Sequence, residues 1–313
     1  MDLRQLDYFV HVAELGSFSR AASLLSVAQS ALSHRVRQLE VELKQPLLYR
    51  NGRGVTPTDA GKRLLVHARG ILMQVNRTRE ELAELRGAPA GHVIVGLPPT
   101  FARLLTVPLV NAFRERFPNA SIGTMEGLSA SIVEWVGTGR VDIGLVFNPA
   151  PSPAIEIVPL LEEPMFLVSP ASERAGMRAP VALKELPRFP LIVPSRPNAN
   201  RMRIEWQLGR VGLKPAIALE IDGIATILDL VLEGYGHAVL PLSSLRSHGD
   251  VERYALRPIV KPRLTIQVSL VTSAQRPATP LTQKVLAVIP EIASAVLSPE
   301  AIAPPPPASP PDR

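Results

Sequence analysis

Three short stretches in the first 45 residues place apolar side chains three or four positions apart, which is the period of an amphipathic helix. The first stretch begins at Leu3 and ends at Gly16. Ser17 can cap the second stretch, which holds the small residues Ala21 and Ala22. The third stretch spaces its apolar residues by four, three and four positions: Leu32, Val36, Leu39 and Leu43. We predict three short helices, the third with one buried stripe and one polar face.

A short hairpin and a long helix are predicted next. Residues 47–50 and 55–56 are strand-like and enclose the glycine-bearing turn 51–54. Pro57 ends the hairpin, and Thr58 can cap a helix that continues to about residue 86. Apolar positions in this helix alternate spacings of four and three, the period of a coiled-coil seam. The pattern favours a dimer, with packing of the helix on its own domain as the alternative. The seam consists of Leu64, Ala68, Ile71, Val75, Thr78, Leu82 and Leu85.

From about residue 91, short apolar runs alternate with helical stretches. The runs are residues 93–97, 122–125, 141–147, 165–168, 191–193, 217–221, 238–240 and 264–271. Continuous apolar strands between helices predict a mostly parallel sheet with helices on both faces. One doubly wound sheet could hold all eight runs, but two smaller α/β lobes fit better, because the middle of this region can form an insertion.

The composition narrows the classes of function. The chain has 313 residues, about twice the usual domain size, so two or three domains are expected. It contains no cysteine, which excludes disulfides, thiolate zinc sites, iron–sulfur clusters and thiol nucleophiles. Its six histidines show no HExxH spacing, and the sequence has neither a GxSxG elbow nor a GxxxxGK[ST] phosphate loop. We expect no enzyme activity, no metal and no cofactor.

Export and membrane insertion are not indicated by the sequence. The N-terminus has polar residues every few positions and lacks the apolar core of a signal peptide. No stretch approaches about 18 uninterrupted apolar residues, the length of a membrane span. We expect a cytoplasmic protein without membrane contact. The final 15 residues hold seven prolines, so residues 301–313 are expected to form a disordered tail.

Positive charge is concentrated around the third helix and the hairpin. The net charge is +6, and residues 28–70 carry eight basic and three acidic side chains. Three helices followed by a hairpin indicate a winged helix-turn-helix, whose third helix enters the major groove while the hairpin touches the backbone. We expect Gln29, Ser33 and His34 to read base edges. Further DNA contacts, mainly to the phosphate backbone, are expected from Ser19, Arg20, Ser30, Arg35, Arg37, Arg50 and Arg53.

Several motifs in this first part are shared with one family. They are LRQLDYF at residues 3–9, GSFSRAA at 16–22, LS at 32–33, QLE at 38–40 and TPTDAG at 56–61. On these motifs the chain resembles the LysR-type transcriptional regulators, and the long helix and α/β remainder extend the likeness over nearly the whole chain. The sequence departs from the pattern at Ala28, Ser30 and His34, where many members carry Ser or Thr, Pro, and Arg respectively.

The resemblance implies an assembly and its partners. It implies a dimer through the long helix, commonly assembled into a tetramer, bound to an interrupted palindrome in promoter DNA. Activation is the commoner behaviour in the family, and RNA polymerase is a further candidate partner. Independently, two winged modules related by a twofold axis would read half-sites about one helical turn (~10 bp), or a multiple of it, apart.

The α/β part resembles the periplasmic (type 2) solute-binding fold, which in this family holds a small effector between two lobes. Helix N-termini that follow parallel strands present free N–H groups and can hold anions. By resemblance, the candidate effector contacts are Pro99, Thr100, Ser129, Ser195, Asn198 and Thr226. Arg196 or Arg201 would suit a carboxylate or other oxyanion, because arginine binds such groups bidentately. Each hydroxyl can instead be an ordinary helix cap, and both arginines can pair with surface acids.

Together these features predict an α/β protein with an α-rich winged helix-turn-helix at its N-terminus and a two-lobed effector domain. The expected boundaries are 1–58 for the DNA-binding domain, 59–88 for the dimerisation helix and 89–300 for the effector domain. Within the effector domain, lobe I is expected at about 91–162 and 264–298, and lobe II at about 163–263. We expect a sequence-specific transcriptional regulator, more often an activator, controlled by a small anionic effector. The alternatives are a transport-type solute-binding protein and a ligand-independent DNA-binding protein.

Overall fold

The computed structural model describes residues 1–51, 54–84, 91–172, 179–249 and 251–297, with the side chains of residues 77, 80, 81, 83 and 84 left out. The chain divides into two compact units, the first built mainly from residues 1–91 and the second mainly from residues after 91. The expected tail at 301–313 and the expected end of the long helix at 85–88 lie outside the described residues.

The first unit contains the three helices, the hairpin and the long helix that the sequence predicts. Its elements are α1 (Leu3–Leu15), α2 (Phe18–Leu24), α3 (Gln29–Leu43), β1 (Leu48–Asn51), β2 (Gly54–Pro57) and α4 (Asp59–Glu84). Asp2 caps α1 by accepting the N–H of Gln5, and Gly16 ends the helix at a φ of 61°, a left-handed conformation that favours glycine. The buried stripe of α3 is confirmed, because Leu32, Val36 and Leu39 are fully buried.

The end of the hairpin is tied to the start of α4. Strands β1 and β2 pair antiparallel, with Leu48 opposite Pro57. The Thr58 hydroxyl donates to the Pro46 carbonyl at 2.7 Å and accepts the N–H of Gly61 at 3.0 Å. A side chain at Gly61 would place its Cβ 2.0 Å from the carbonyl oxygen of Leu47, so only glycine allows this close approach. The hairpin is thereby held at a fixed position on the helical core.

The second unit is an α/β structure of ten strands and six α-helices among its described residues. Its first part consists of β3 (His92–Leu97), α5 (Pro99–Arg116), β4 (Ser121–Glu126), α6 (Ser129–Thr138) and β5 (Ile143–Phe147). The remaining elements are β6 (Ile155–Pro170), β7 (Val181–Ala182), β8 (Leu191–Val193), α7 (Ala199–Gly209), β9 (Ile217–Glu220), α8 (Ile224–Leu232), β10 (Ala238–Pro241), α9 (Leu242–His248), β11 (Tyr254–Val260), β12 (Thr265–Ser273) and α10 (Pro280–Leu297).

Strand β6 links the two lobes of this unit. It pairs with β12 over residues 155–164 and with β10 and β11 over residues 165–170. The parallel strands β4, β3 and β5 lie on the far side of β12, and β8 and β9 form a separate parallel pair in the other lobe. The two-lobed architecture expected from the sequence is therefore confirmed.

The expectation of a mostly parallel sheet is wrong. Strands β12, β10 and β11 all run antiparallel to β6, and β12 is also antiparallel to β5. The physical reason is the connection between lobes, because the chain passes from lobe I to lobe II along β6 and returns along β12 in the opposite direction. The short strand β7 and strand β11 are additions that the apolar pattern did not reveal.

Helix α10 is long and apolar enough to cross a membrane by composition alone. In the structure its inner face belongs to the core of the second unit, where Leu281, Val285 and Ile289 are buried. A core helix passes the same compositional test as a membrane span, and the packing of these three side chains accounts for the apolar content of α10.

Candidate functional site

Helix α3 presents a polar face opposite its buried stripe. Gln29, Ser30, His34 and Arg37 are exposed, and Ser33 is half-buried. The Ala28 cap residue of α3 offers no side-chain hydrogen bond, so the first turn of the helix lacks the usual side-chain acceptor. This face carries the short hydrogen-bonding side chains that a major-groove helix uses to contact bases.

Residues of α2 and α1 border this face. The Ser19 hydroxyl donates a 3.0 Å hydrogen bond to Oε1 of Gln29. The Arg20 guanidinium donates to the Leu15 carbonyl, and Arg35 lies 3.9 Å from the Asp2 carboxylate. Arg20 and Arg35 remain exposed on the same unit, whereas Ser19 is directly bound to a predicted base-reading side chain.

Arg50 of the hairpin is held by neighbouring protein groups. Its Nη1 donates to Ser33 Oγ at 3.2 Å, its Nη2 lies 3.6 Å from Glu40 Oε2, and its guanidinium stacks over the Phe18 ring at 4.6 Å. The sequence predicted a phosphate contact for Arg50 and did not identify Glu40 as its partner. The only signal for Glu40 was its place in the QLE motif. Arg53, also predicted to contact DNA, lies outside the described residues.

Glu40 joins α3 to the hairpin through the other oxygen of its carboxylate. Oε1 accepts the backbone N–H groups of Leu47 at 2.9 Å and Leu48 at 3.2 Å. The two oxygens of one side chain therefore fix both the start of β1 and the guanidinium of Arg50.

The predicted seam of α4 divides into two parts. Ala68 is fully buried in the core of the first unit and Leu64 packs against the same core, so these two residues follow the alternative of packing on their own domain. Ile71 and Leu82 are 39% and 59% exposed, and Val75 is half-buried. The most exposed apolar surface of the seam lies from Ile71 onward, at Ile71 and Leu82.

In lobe I, Pro99, Thr100 and Ser129 lie at the carboxyl edge of the parallel strands. Strands β3 and β4 pair so that Leu97 is opposite Glu126, which brings the starts of α5 and α6 to one edge. Ser129 Oγ accepts the N–H of Phe147 at 3.0 Å, so its oxygen already satisfies the end of β5. Thr100 is buried, whereas Pro99 is exposed at the first turn of α5.

In lobe II, Ser195, Asn198 and Thr226 follow the parallel pair β8 and β9. The Ser195 N–H donates to Asp222 Oδ1 at 2.9 Å, which connects the two strand ends. Asn198 caps α7 by accepting the N–H groups of Asn200 and Arg201. Thr226 is exposed in the first turn of α8. The structure thus gathers the predicted effector residues into one group per lobe, and Asn198 has the role of a helix cap.

The two candidate anion ligands, Arg196 and Arg201, both belong to one ion-pair cluster. Nε and Nη2 of Arg196 donate to Glu205 Oε2 at 3.1 and 2.8 Å, while the buried Arg201 donates to Glu205 Oε1 at 2.9 Å. Arg201 also contacts Glu220 at 2.7 Å and the Pro194 carbonyl at 3.0 Å. An incoming carboxylate would therefore have to displace Glu205 from Arg196.

The charges of this cluster stabilise one another. Burial raises the pKa of Glu205, but the hydrogen bonds from Arg201 and Arg196 lower it more, so the net pKa lies below the ordinary value. The hydrogen bonds to Glu205 and Glu220 raise the pKa of Arg201 in turn. The cluster fixes the N-terminal half of α7 to strands β8 and β9.

A second buried polar group, around Glu163, was not predicted from the sequence. Glu163 lies on β6 next to the point where this strand leaves β12, and its Oε2 accepts the Ser243 hydroxyl at 2.7 Å. Arg246 of α9 donates to the Val296 carbonyl at 3.0 Å and interacts electrostatically with Glu163. The apolar sequence pattern carries no signal for such a cluster, because its members come from β6, α9 and α10.

Two family models match the chain. Residues 3–62 match a bacterial regulatory helix-turn-helix protein of the lysR family, and residues 86–293 match the LysR substrate binding domain. The first match covers the helices and hairpin described above, and the second covers nearly all of the two-lobed unit.

Named relatives give the same family. The chain is 35% identical to the nitrogen assimilation regulatory protein nac of Escherichia coli K12, over 91% of this chain and 93% of that protein. It is 30% identical to the HTH-type transcriptional regulator CzcR of Bacillus cereus, over 82% and 86% of the two chains.

Solved structures share the fold at lower identity. A full-length OxyR variant of Pseudomonas aeruginosa matches with a TM-score of 0.73 at 23% identity, covering 95% of both chains. Full-length CbnR in complex with its target DNA matches with a TM-score of 0.68 at 24% identity, covering 94% of this chain and 100% of that one. On the two family models and these relatives, the chain belongs to the LysR family of DNA-binding transcriptional regulators.

Proposed function

We propose that this regulator reads specific sequences in promoter DNA with helix α3, and that it acts as an activator. The observation that carries the proposal is the exposed polar face of α3, with Gln29, Ser33 and His34, beside a hairpin held in place by Glu40. The similarity to CbnR, whose structure was solved with its target DNA, supports this placement of the fold on a duplex. Arg37 is proposed to bind the phosphate backbone.

The DNA-binding domain is proposed to act as a pair. Ile71 and Leu82 leave apolar surface on α4, which favours a second copy of the same helix. A twofold pair would bind half-sites about one helical turn or a multiple of it apart. We further propose that two dimers assemble into a tetramer. The regulator is proposed to act in the cytoplasm and to contact RNA polymerase.

The second unit is proposed to bind a small anionic effector between its lobes. Thr100 and Ser129 lie at helix starts of lobe I, and Ser195 and Thr226 lie at the corresponding edge of lobe II. Free N–H groups at such helix starts bind anions. A ligand that contacts both lobes would favour one angle between them, in proportion to its difference in affinity for the two shapes.

Binding measurements with single variants test the proposed DNA contacts. A duplex selected by the wild-type protein from a random library is titrated by fluorescence anisotropy at several salt concentrations. Ser33→Ala and His34→Ala should change the preference among duplex sequences, whereas Arg37→Ala should weaken all duplexes and reduce the salt slope by about 1. Equal losses on selected and scrambled duplexes for all three variants would contradict the base-reading role of α3.

DNase footprints test the effector part separately. The protein is screened by thermal shift against small carboxylic acids, since a ligand at 100 times its Kd adds about 2.7 kcal/mol to the free energy of unfolding. Footprints with and without a binding acid should then differ in the spacing of protected bases or in bend-induced hypersensitivity. Identical footprints for every acid that binds would contradict effector control, while leaving the DNA-reading role intact.

A further inference from the structure

We propose that Arg50 positions Ser33 as a hydrogen-bond donor to DNA bases, instead of binding phosphate itself. The inference rests on the proposed function, in which α3 reads base edges. The hairpin would then influence which bases are preferred, whereas the sequence predicted only that the hairpin contacts the DNA backbone. Arg50 is a positioning residue in this account, and Ser33 is the residue that touches the base.

The contacts of Arg50 leave its guanidinium committed to the protein. Nη1 donates to Ser33 Oγ at 3.2 Å and Nη2 lies 3.6 Å from Glu40 Oε2, while Cζ lies over the Phe18 ring, 4.6 Å from its centroid. The side chain of Arg50 remains 37% exposed, but three side chains from two helices, α2 and α3, hold its cationic end. Release toward a phosphate would break the ion pair and the stacking at the same time.

The direction of the Arg50–Ser33 hydrogen bond is fixed by chemistry. A guanidinium can only donate, so Ser33 Oγ must be the acceptor. With one lone pair of Oγ used in this way, the hydroxyl hydrogen is free to point away from Arg50. Because Ser33 is half-buried on the face of α3 that carries Gln29 and His34, that hydrogen is available to an acceptor atom outside the protein.

Ser19 orients the side-chain amide of Gln29 in a similar way, so that its hydrogen-bond donors are left for DNA. The Ser19 hydroxyl donates to Gln29 Oε1 at 3.0 Å, which leaves the Nε2 hydrogens of the amide free. Two neighbouring reading side chains therefore present donors. In the major groove guanine offers two adjacent acceptors, O6 and N7, whereas adenine N7 and thymine O4 are single acceptors and cytosine offers only a donor. Because guanine alone presents two acceptors and no donor on one base, the donors of Gln29 and Ser33 favour guanine.

Glu40 keeps this arrangement in place before DNA binds. The same carboxylate that pairs with Arg50 accepts the N–H groups of Leu47 and Leu48, so the guanidinium is anchored to the strand that carries it. A side chain ordered in advance loses less conformational entropy on binding than a free one. The loss of Glu40's charge should therefore have the same consequence for base preference as the loss of Arg50.

The test is selection from a random duplex library, followed by anisotropy titrations of the selected duplex over a range of salt. Ser33→Ala first identifies the base pair that Ser33 reads. Arg50→Ala and Glu40→Gln should relax the preference at that same base pair, by about five- to tenfold, and leave the salt slope at the wild-type value. Arg37→Ala, an exposed arginine on α3, serves as the matched control and should lower the slope by about 1.

Two further readouts complete the test. Replacement of the guanine at that base pair by 7-deazaguanine, which lacks the N7 acceptor, should weaken binding of the wild type and of Ser19→Ala, but not of Ser33→Ala or Arg50→Ala. Circular dichroism melts of the variants verify that they fold, and Arg50→Lys replaces Arg50→Ala if the latter does not, because a single ammonium lacks the two-nitrogen fork.

The possible results separate this inference from the proposed function. If Arg50→Ala lowers the salt slope by about 1 and keeps the base preference, Arg50 binds phosphate and the inference is wrong, while α3 still reads DNA. If the wild-type protein enriches no sequence at all, the proposed function fails and the inference fails with it. If Arg50→Ala relaxes the preference at the base pair read by Ser33 and leaves the salt slope unchanged, both the inference and the proposed function are supported.

Discussion

Ser243 donates a 2.7 Å hydrogen bond to the carboxylate of Glu163, which is only 8% exposed and lies where β6 passes from lobe I to lobe II. Burial raises the pKa of Glu163 above its ordinary value of 4.5, and this effect exceeds the lowering by the Ser243 hydrogen bond and the charge of Arg246. The Glu163 carboxyl at the junction of the lobes is therefore protonated more readily in the folded protein than in the unfolded chain.

The pH dependence of stability should show this preference. An acid whose pKa is raised by folding contributes stability that is complete below its unfolded pKa and is lost as the pH rises through the folded pKa. The Tm of the wild type, relative to Glu163→Gln, should accordingly fall from pH 4 to pH 7. Glu205, whose pKa is lowered, is present in both proteins and cancels in the difference. A Tm difference that is constant over this range would show that folding does not raise the pKa of Glu163.

Arg201 should be the most important member of the lobe II ion-pair cluster. Its side chain is 9% exposed and contacts both Glu205 and Glu220, so Arg201→Ala leaves two carboxylates without a buried partner. Because Glu220 is half exposed, water compensates part of the loss, and we expect a decrease of about 2 kcal/mol in the free energy of unfolding.

Arg196 provides the matched control for that measurement. It binds the same Glu205, but its side chain is 64% exposed, so Arg196→Ala should cost less than about 1 kcal/mol in urea denaturation. Equal losses for the two variants would mean that burial does not determine the strength of the cluster.

The uncapped start of α3 offers a stabilising substitution. Ala28 has the extended backbone of an N-cap residue (φ −66°, ψ 133°) but no side-chain acceptor. Ala28→Ser should add about 1 kcal/mol to the stability of the first unit, visible as a higher urea midpoint. Ala31→Ser, the same change three residues later at another exposed position, should give no gain. A gain from both variants would point to a general effect of serine on this helix.

The exposed half of the α4 seam should control assembly. Ile71→Glu places a charge on the proposed helix–helix contact and should shift the molar mass in light scattering toward the monomer. Val66 is equally exposed at 39% but lies off the seam, so Val66→Glu should leave the mass unchanged. An unaltered mass for Ile71→Glu would place the dimer contact elsewhere.

Local periodicity was sufficient to predict the first unit. The spacing of Leu32, Val36 and Leu39 fixes which side of α3 is buried, and Gly16 and Pro57 mark where elements end. The motifs identified the family resemblance, and that resemblance indicated the two-lobed solute-binding fold of the second unit. These features depend on residues close in sequence, where side-chain pattern and backbone preference act together.

The contacts between distant residues were not predictable in the same way. Arg50 and Arg196 were both expected to meet anions from outside, yet each is paired with a carboxylate of the chain, Glu40 and Glu205. Ala68 kept the heptad spacing but packs on its own core. Whether an arginine or an alanine is available to an external partner depends on its neighbours in the folded structure. Spacing along the chain does not specify those neighbours.

The central claim, that α3 and its hairpin read specific DNA sequence, is tested most directly by one selection experiment. The purified full-length protein is used to enrich duplexes from a random 40 bp library, and the enriched pool is sequenced. We expect two related half-sites in inverted orientation, about one helical turn or a multiple apart, and binding that weakens as salt increases. A pool that stays random after repeated rounds, with binding that does not depend on sequence, would contradict the claim.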